Sequence, residues 1–478
     1  MNTFKIKSLY AAIVGVGALG AMSAADAVYV NPNGTGQVLI YPYYTVNDKV
    51  PGAVFTSLLS VVNSTSSAKA VKVRFVEGRN SAEVLDFNLF LSPRDVWVAG
   101  IVKLGLGDAG VGAGVFAPDT SCTVPKVSSD SANPTPFVNF AYAGDGGGDG
   151  LERTREGYVE IIEMGVVTGS TATNVTHASG GGAPSCTDLT VAKVSNHITT
   201  PQGGLFGGIS LINVLAGEDF SADAIALDAF KNVGKYESPG SIKPDLEDVF
   251  PPDAVVINGS TIITATAAIN NIDAVSAVLM HNSVMNEYVL DANTLSTTEW
   301  IVTAPTKRYY YNDDGEVQYL FQRNFVEDKG ACDTYDFAIY DRDEFTKPGG
   351  FSPPPVGGAS PTLCWESTVI SFNGKNTLGS KNLLDVATGF KNGWASASPA
   401  SGNYKSTDAG FSTVGKFHIL PMYSPSGQSS TFGTFVGLPV IGFAVQTFNN
   451  NQLAAPGGGL IQSSYGGNFV HKYSLLFQ

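Results

Sequence analysis

The sequence predicts an all-β protein of two antiparallel β-sandwich domains, immunoglobulin-like in type, with long Gly/Ser-rich insertions. Short segments alternate apolar and polar residues, as Val71, Val73 and Phe75 do around Lys72 and Arg74, which is the period of a strand with one buried face. Turn signals recur between these segments, the chain contains 54 Gly and 25 Pro, and long helical periods are missing. A sandwich explains all three observations better than a parallel α/β sheet.

Strands in the first half follow one another closely. Alternation and apolar runs predict them at 38–44, 55–62, 71–75, 85–91, 96–98, 158–164 and 203–214. One short helix is predicted at 221–230, with Ser221 as its cap. Ala224, Leu227 and Phe230 would share one face of that helix.

The second half also reads as strands separated by loops. Strands are predicted at 274–280, 287–290, 300–303, 309–311, 317–321, 435–448 and 469–477. Asp314 and Gly315 stand where a hairpin turn would place them. The Gly-, Ser- and Pro-rich stretches 103–152 and 346–362 are predicted to be exposed insertions.

Four segments describe the domain organisation that the sequence predicts. Residues 1–27 form a signal peptide, 28–237 a first β-sandwich domain, 238–253 a linker, and 254–478 a second β-sandwich domain. The linker is assigned because it is rich in Pro and acidic residues.

The N-terminus has the pattern of a secretory signal. Lys5 and Lys7 precede an apolar run at 9–19, and small residues around Ala25 and Ala27 offer a cleavage site. The run is too short to span a membrane, and no later stretch is long enough. The sequence therefore predicts a secreted protein on the outer face of a Gram-negative envelope, with the periplasm as the alternative and without a membrane span.

Charge and composition limit the partners. The formal net charge is −14, only 15% of residues are charged, and no Lys/Arg stripe is interleaved with aromatic residues. Nucleic acid is excluded as a partner on this ground.

The four cysteines are predicted to form disulfides, since the chain is exported and their number is even. Three pairings are open, and the nearest-neighbour pairing of Cys122 with Cys186 and Cys332 with Cys364 is favoured, because each bridge then lies within one predicted domain. No C-x-x-C pair or histidine at ligand spacing suggests zinc.

No catalytic residue is predicted. The motifs G-x-S-x-G and H-E-x-x-H are absent, and the G-x-G-x-x-G match at 105–110 is not followed by a helix. The five histidines are scattered, so a Ser-His-Asp triad could arise only through folding. The sequence therefore predicts a protein that is not an enzyme and has no cofactor, calcium excepted.

Calcium is the metal that the sequence allows, because Gly-rich extracellular loops can bind it through Asp and carbonyl oxygens. The candidate ligands are Asp145 and Asp149 in the first half and Asp313 and Asp314 in the second. Neither group has the EF-hand order, and a solvated turn is the interpretation favoured for both.

Two tyrosine clusters could stack on sugar rings. They comprise Tyr41, Tyr43 and Tyr44, and the run 309–311. Neighbouring strand residues point to opposite faces, so at least one tyrosine of each cluster is expected in the core, and core packing is the favoured role.

Several blocks of sequence resemble a family of exported proteobacterial cell-surface and surface-layer-like proteins. The blocks are YPYYTV (41–46), VKVRFVEGRNSAEVLDFNLFLSPRDVW (71–97), REGYVEIIEMG (155–165), GGLFGGISLINVLAGEDFSADAIAL (203–227), AVLMHNSVMNEYVLD (277–291), EWIVTAPTKRYYY (299–311), LCWE (363–366) and GLPVIGFAVQTF (437–448). The resemblance implies a surface protein, and it brings no catalytic residue with it.

The expected function is that of a non-enzymatic secreted structural protein of the cell surface, which self-assembles into a layer or filament. Edge strands offer a route to assembly, and residues 28–33 at the mature N-terminus are a candidate donor strand. The alternative is an extracellular module that binds glycans or calcium. Self-association is the expected partnership, with an envelope component or a glycan as further partners.

Overall fold

The computed structural model of the chain describes residues 27–106, 110–142, 145–178, 182–310, 320–321, 331–345, 361–400, 403–405, 414–416, 418–425, 431–449, 453–454, 460–461 and 464–478. Residues 1–26 of the predicted signal peptide, the turn at 314–315 and most of the insertion 346–362 lie outside the described residues.

The first half of the chain forms strands β1 to β14. They are β1 (Tyr29–Val30), β2 (Val38–Thr45), β3 (Thr56–Asn63), β4 (Lys69–Glu77), β5 (Glu83–Leu91), β6 (Val96–Lys103), β7 (Ala113–Phe116), β8 (Cys122–Val124), β9 (Thr135–Pro136), β10 (Glu156–Val167), β11 (Ile198–Thr199), β12 (Leu205–Asn213), β13 (Glu218–Asp223) and β14 (Ile225–Asp228).

The second half contains strands β15 to β35. They are β15 (Asp253–Asn258), β16 (Thr261–Ala267), β17 (Met280–His281), β18 (Ser283–Val289), β19 (Thr297–Thr303), β20 (Asp333–Asp341), β21 (Thr362–Leu363), β22 (Ser367–Phe372), β23 (Leu383–Val386), β24 (Asn392–Pro399), β25 (Asn403–Lys405), β26 (Val414–Lys416), β27 (Ile419–Tyr423), β28 (Thr431–Val436), β29 (Leu438–Pro439), β30 (Ile441–Asn449), β31 (Leu453–Ala454), β32 (Leu460–Ile461), β33 (Ser464–Val470), β34 (Lys472–Ser474) and β35 (Leu476–Phe477).

Helices are few and short. The α-helices are α1 (Gly169–Val175), α2 (Val191–Ser195) and α3 (Ile272–Val278), and single 3-10 turns lie at Phe140–Tyr142, Leu151–Arg155, Leu246–Asp248 and Lys307–Tyr310. The longest of the described helices have seven residues, too few to cross a membrane. The chain is all-β and sandwich-like, as the sequence predicts.

Two sheets form the first half. The first sheet has the order β1-β14-β2-β10-β4-β5-β8, with β11 added to β10, and the second has the order β13-β12-β3-β6-β7-β9. Leu39, Val73 and Ile161 of the first sheet share a buried core with Leu59 and Trp97 of the second. The inner faces of the two sheets carry the apolar residues of the alternating strands. The sheets therefore pack face to face as a sandwich, because this removes the apolar residues from water.

The second half contains three larger sheets. The third sheet has the order β15-β16-β27-β28-β35, the fourth β21-β20-β24-β18-β34, and the fifth β23-β22-β19-β30-β33. Short pairs β17-β29, β25-β26 and β31-β32 complete the described strands. Within the five larger sheets the pairing is antiparallel except between β22 and β23.

The sheets separate the chain into two halves, whereas the hydrophobic cores contain residues from both halves. The described sheets join β1–β14 only to one another, and likewise β15–β35, so pairing changes within the predicted linker. The hydrophobic cores cross that point: Val38 and Ile40 pack with the core of the second half, and Val369 and Phe443 pack into that of the first. The first sheet is therefore covered on both faces.

The predicted helix at 221–230 is wrong. The chain there forms β13 and β14, which pair with β12 and β2. Ala224, Leu227 and Phe230 are buried, but Ala224 joins β13 to β14, Leu227 lies within β14, and Phe230 follows that strand. Their helix-like spacing is overridden by the hydrogen bonds that neighbouring strands supply.

Two predicted strands of the second half are also wrong. Residues 274–280 largely form α3, which is buried at all of its seven positions and so shows no amphipathic period. The predicted strand 309–311 is a 3-10 turn at Lys307–Tyr310, and residue 311 lies outside the described part.

Both disulfides follow the nearest-neighbour pairing. Cys122 is bonded to Cys186, and Cys332 to Cys364. The first bridge joins the edge strand β8 to a loop after α1. The predicted insertion 103–152 that carries Cys122 also contributes the short strands β7 and β9 to the second sheet.

The predicted donor strand at 28–33 is occupied within its own chain. Tyr29 and Val30 pair with Asp228 and Leu227 of β14, and Val28 bridges to Ala254. This segment therefore already has partners, and an intermolecular contact must be sought elsewhere.

Candidate functional site

Asp145, a predicted calcium ligand, is bound to an arginine. Its carboxylate accepts hydrogen bonds from both terminal nitrogens of Arg153, at 2.8 and 2.7 Å, and from the Gly147 N–H at 2.8 Å. Asp149 contributes its carbonyl oxygen to the Asn139 amide at 2.8 Å. The guanidinium already supplies the positive charge that a calcium ion would bring to Asp145.

Asp313 and Asp314, the other calcium candidates, lie outside the described residues. In the part of the chain that the structure describes, no group of three or more His, Cys, Asp and Glu side chains is arranged to hold a metal ion. A calcium site at 313–314 stays a prediction.

The first tyrosine cluster and Tyr310 of the second are core residues. Tyr41, Tyr43 and Tyr44 are fully buried, and their hydroxyls donate to Ser60 O, Glu156 Oε2 and Thr154 O at 2.8, 2.7 and 2.9 Å. Tyr310 is also fully buried. Alternation does send Tyr43 and Tyr44 apart, but the double coverage of the first sheet buries both. These four rings offer no face to a sugar.

The structure brings one serine and one aspartate to a histidine, in the wrong arrangement for a triad. The Nδ1 of His177 lies 2.7 Å from Ser92 Oγ and 3.7 Å from Asp95 Oδ2, so both groups meet the same ring nitrogen. The opposite nitrogen, Nε2, lies 2.9 Å from Thr120 Oγ1, but at 3.7 Å the Asp95 carboxylate is too far from Nδ1 to orient the ring by a hydrogen bond, as a triad requires. His418 contacts Asp333 at 3.3 Å and the Ala400 carbonyl at 2.9 Å.

Charged side chains of the first sheet lie between the two halves. Lys72 donates to Asp86 at 2.7 Å and to the carbonyls of Ser238 and Ser241, and Arg74 is paired with Glu160 close to Arg308 and Tyr309 of the second half. The predicted linker therefore covers the polar side of the alternating strand β4. Such pairs do not stabilise strongly on balance, but they require one alignment of the groups that meet there.

Glu366 is buried here without a hydrogen-bond partner for either carboxylate oxygen among the described residues. Burial holds the pKa of this carboxyl well above its usual range, against the opposing charges of Lys307 and Arg308. A neutral carboxyl is the less costly form in such a site.

A junction loop, residues 377–382, connects the two halves through carboxylates. Glu299 of β19 accepts the Thr377 and Leu378 N–H groups, at 2.5 and 3.0 Å. Glu156 of β10 accepts the Ser380 hydroxyl at 2.7 Å and the Lys381 N–H at 2.8 Å. The loop is thereby fixed to both halves.

Stability is expected to fall as the pH rises, because burial raises the pKa of Glu299 from 4.5 to about 7 against its two N–H donors. The folded chain favours the protonated carboxyl, so this contribution is complete below pH 4.5 and is lost as the pH rises through about 7. The loss corresponds to about 3 kcal/mol in the free energy of unfolding. Urea titrations across this range would measure it.

Glu299→Gln is the control for this prediction, with the slope of stability against pH as its readout. The variant should reduce the slope between about pH 4.5 and 7, and the slope that is left belongs to other buried carboxyls with a raised pKa, such as Glu366 and Glu160. Asp333 does not interfere, since the pKa of Asp333 is lowered below 3.8 by Lys307 and His418 despite its burial. Equal slopes in variant and parent would contradict the assignment.

The outward side of three strands of the second sheet, β12, β3 and β6, is apolar and exposed, and Asp219 and Asp223 of the neighbouring β13 border it. Leu58 of β3, Val96 and Val98 of β6, and Phe206 of β12 expose 38%, 50%, 41% and 41% of their surface. Strand register aligns them in rows: Phe206, Val62 and Val96 in one, and Gly208, Ser60 and Val98 in the next. We call the outward residues of β12, β3 and β6 the outer face.

No charge interrupts the outer face. Its residues are Thr56, Leu58, Ser60, Val62, Val96, Val98, Gly100, Val102, Phe206, Gly208, Ser210 and Ile212. A contiguous exposed apolar patch of this kind marks an interaction surface more often than a free surface. The sequence contains an indication of this face, because β6 is apolar at nearly every position instead of at alternate ones. Such a run predicts a strand, but it does not show that one apolar side is exposed.

The outer face continues into a groove and an edge strand. The groove, of about 550 Å³, is lined by Leu58 and Val98, by Asn468 and Val470 of β33, and by a charged residue, Asp223 of β13. Strand β33 is hydrogen-bonded only to β30 in the described sheets, packs beside Asp219 and Phe220 of β13, and exposes Tyr465, Phe469 and Val470.

Searches against protein-family models and curated protein sequences found no match to the chain. The interpretation of the outer face therefore depends on its own chemistry.

Proposed function

We propose that the chain is a non-enzymatic structural protein, exported to the cell surface, where copies assemble into a layer or filament through the outer face. The observation that carries the proposal is an uncharged apolar sheet face on a chain of net charge −14. Two such chains repel each other over most of their surface, so they associate best where neither presents a charge. The apolar area removed from water then drives the contact.

The edge strand β33 supports a second contact, which a layer or filament needs besides a face-to-face pair. Natural sheets protect their edges with charged residues, proline or bulges. The sequence of β33, Ser-Tyr-Gly-Gly-Asn-Phe-Val, contains no charged residue and no proline. Because β13 packs beside this strand, the second contact would form through its exposed side chains, Tyr465, Phe469 and Val470, and would extend the assembly from one copy to the next.

The disulfides support the proposed location. Both bridges brace irregular parts of the chain, and disulfides persist mainly in oxidising compartments. The signal-like N-terminus adds a route of export to the outer face of the envelope.

Val98→Lys is expected to weaken self-association at least tenfold. Val98 points outward from the middle of the outer face, so the variant should fold, but association would bury its ammonium group without a partner. Sedimentation velocity over a series of protein concentrations would measure the change. Salt should strengthen association of the parent chain, since it screens the repulsion between copies.

Thr261→Lys is the matched control, because it adds the same charge at an exposed position of β16, away from the outer face. It should associate as the parent does. A parent chain that stays monomeric at every concentration and salt level would refute the proposal. So would equal association of the two lysine variants.

A further inference from the structure

A separate cavity of about 380 Å³ lies where strands of the two halves meet. Val30 and Ile225 line it from the first half, and Val256, Leu279, Ile441 and Leu475 from the second. His281 and Tyr473 bring the only polar side-chain groups among its described lining residues. The volume lies in the range of small-molecule sites, which are typically apolar with a few polar groups.

The two polar residues of the cavity differ in their hydrogen bonds. Their rings are stacked, with centroids 3.8 Å apart and planes inclined by 18°. The Tyr473 hydroxyl donates to the Gly442 carbonyl at 3.5 Å. The imidazole of His281 forms no hydrogen bond with any described residue, whereas that of His471 bonds through both nitrogens, to Asn286 and Ile301.

His281 is a neutral group. Burial, together with the nearby His471, lowers the pKa of His281 to about 3. A neutral imidazole presents one donor and one acceptor nitrogen, which together match a hydroxyl group. A carboxylate is a poor match, because no cation among the described lining residues would balance its charge.

We propose that this cavity binds a small uncharged apolar molecule that carries one hydroxyl group, which hydrogen-bonds to the imidazole of His281. The apolar walls account for the body of such a ligand, and the imidazole accounts for its polar end. A pure hydrocarbon would fill the cavity but leave the imidazole without a partner, and a charged ligand would lose its hydration without compensation.

The test compares 2-naphthol, naphthalene and 2-naphthoate, which share one ring system and differ in the polar group. Calorimetric or fluorescence titration of the full chain should show 2-naphthol binding at one site, about tenfold more tightly than naphthalene, since one net hydrogen bond of ~1.4 kcal/mol corresponds to that ratio. The 2-naphthoate anion should bind more weakly than either.

Two ring substitutions assign the hydrogen bond. His281→Phe keeps a ring stacked on Tyr473 but removes both nitrogens, so the preference for 2-naphthol over naphthalene should disappear. Tyr473→Phe removes a hydroxyl that is already bound to Gly442 and should preserve the preference. Near-ultraviolet circular dichroism verifies that both variants are folded.

Three results of these titrations would overturn the proposal. They are the absence of binding by 2-naphthol to the parent chain, equal affinities for 2-naphthol and naphthalene in the parent, and preferential binding of 2-naphthoate. Binding by monomers alone, with release on self-association, would also overturn it, because a segment of a second copy would then be the natural occupant.

Discussion

Arg74→Met is expected to lower the free energy of unfolding by about 3–5 kcal/mol, because it leaves a buried carboxylate without its partner. Arg74 is fully buried in β4, donates to Glu83 at 2.7 Å and is paired with Glu160. Burial already raises the pKa of Glu160, and Arg74 opposes that rise. Urea unfolding at neutral pH would measure the loss, which should be smaller in acid, where Glu160 is protonated.

Two variants control for this prediction. Arg342→Met removes a guanidinium from an exposed turn and should change stability by about 0.5 kcal/mol at most. Combining Arg74→Met with Glu160→Gln removes both charges and should recover most of the loss. If the double variant were as unstable as the sum of its single variants, the two side chains would not be coupled.

Replacing Cys122 and Cys186 together by alanine is expected to cost about 3–4 kcal/mol. The bridge closes a loop of 64 residues, so its removal frees a large part of the unfolded chain. Thermal unfolding with and without reductant would measure the cost.

The reductant provides the internal control for the disulfide. It should destabilise the parent chain further than it destabilises the variant, because only the parent still has the Cys122–Cys186 bridge to lose. The second bridge, Cys332–Cys364, closes a shorter loop of 32 residues and should contribute slightly less. Identical unfolding of the variant and the oxidised parent would show that the first bridge does not stabilise the fold.

The sequence predicted the strands well where one face of a strand is apolar. The alternation of Val71, Val73 and Phe75 identifies β4 and its inner face. It predicted poorly where burial is complete, since α3 lacks a polar side and the segment 221–230 has a helix-like spacing on strands. The local sequence pattern cannot decide whether such a segment is a helix or a strand, because residues distant in the sequence provide its hydrogen bonds or bury it.

The candidate site was missed for a related reason. Alternation assigns polar residues to solvent, yet Lys72 and Arg74 are buried against the other half of the chain. The exposed face is instead that of Leu58 and Val98. Sequence alone could show that both faces of β6 are apolar, but not which of them another part of the chain covers.

The polar side of β4 is thus buried and an apolar side of β6 is exposed, and this arrangement connects the fold with the proposed function. The paired charges of Lys72 and Arg74 at the junction align the two halves, while β12, β3 and β6 of the second sheet present an uncharged face outward. The positive charges of Lys69 and Lys72 are neutralised inside the molecule, so they do not reduce the repulsion between copies at the surface. Association then depends on the outer face and the edge strand β33.

Electron microscopy of native cell envelopes would test this account most directly, in a parent strain and in one that carries Val98→Lys. We expect an ordered layer or filaments that contain the protein in the parent, and their loss in the variant strain although the chain is exported and folded. A parent protein that is monomeric and not associated with the envelope would contradict it, as would an ordered array that is unchanged by the lysine.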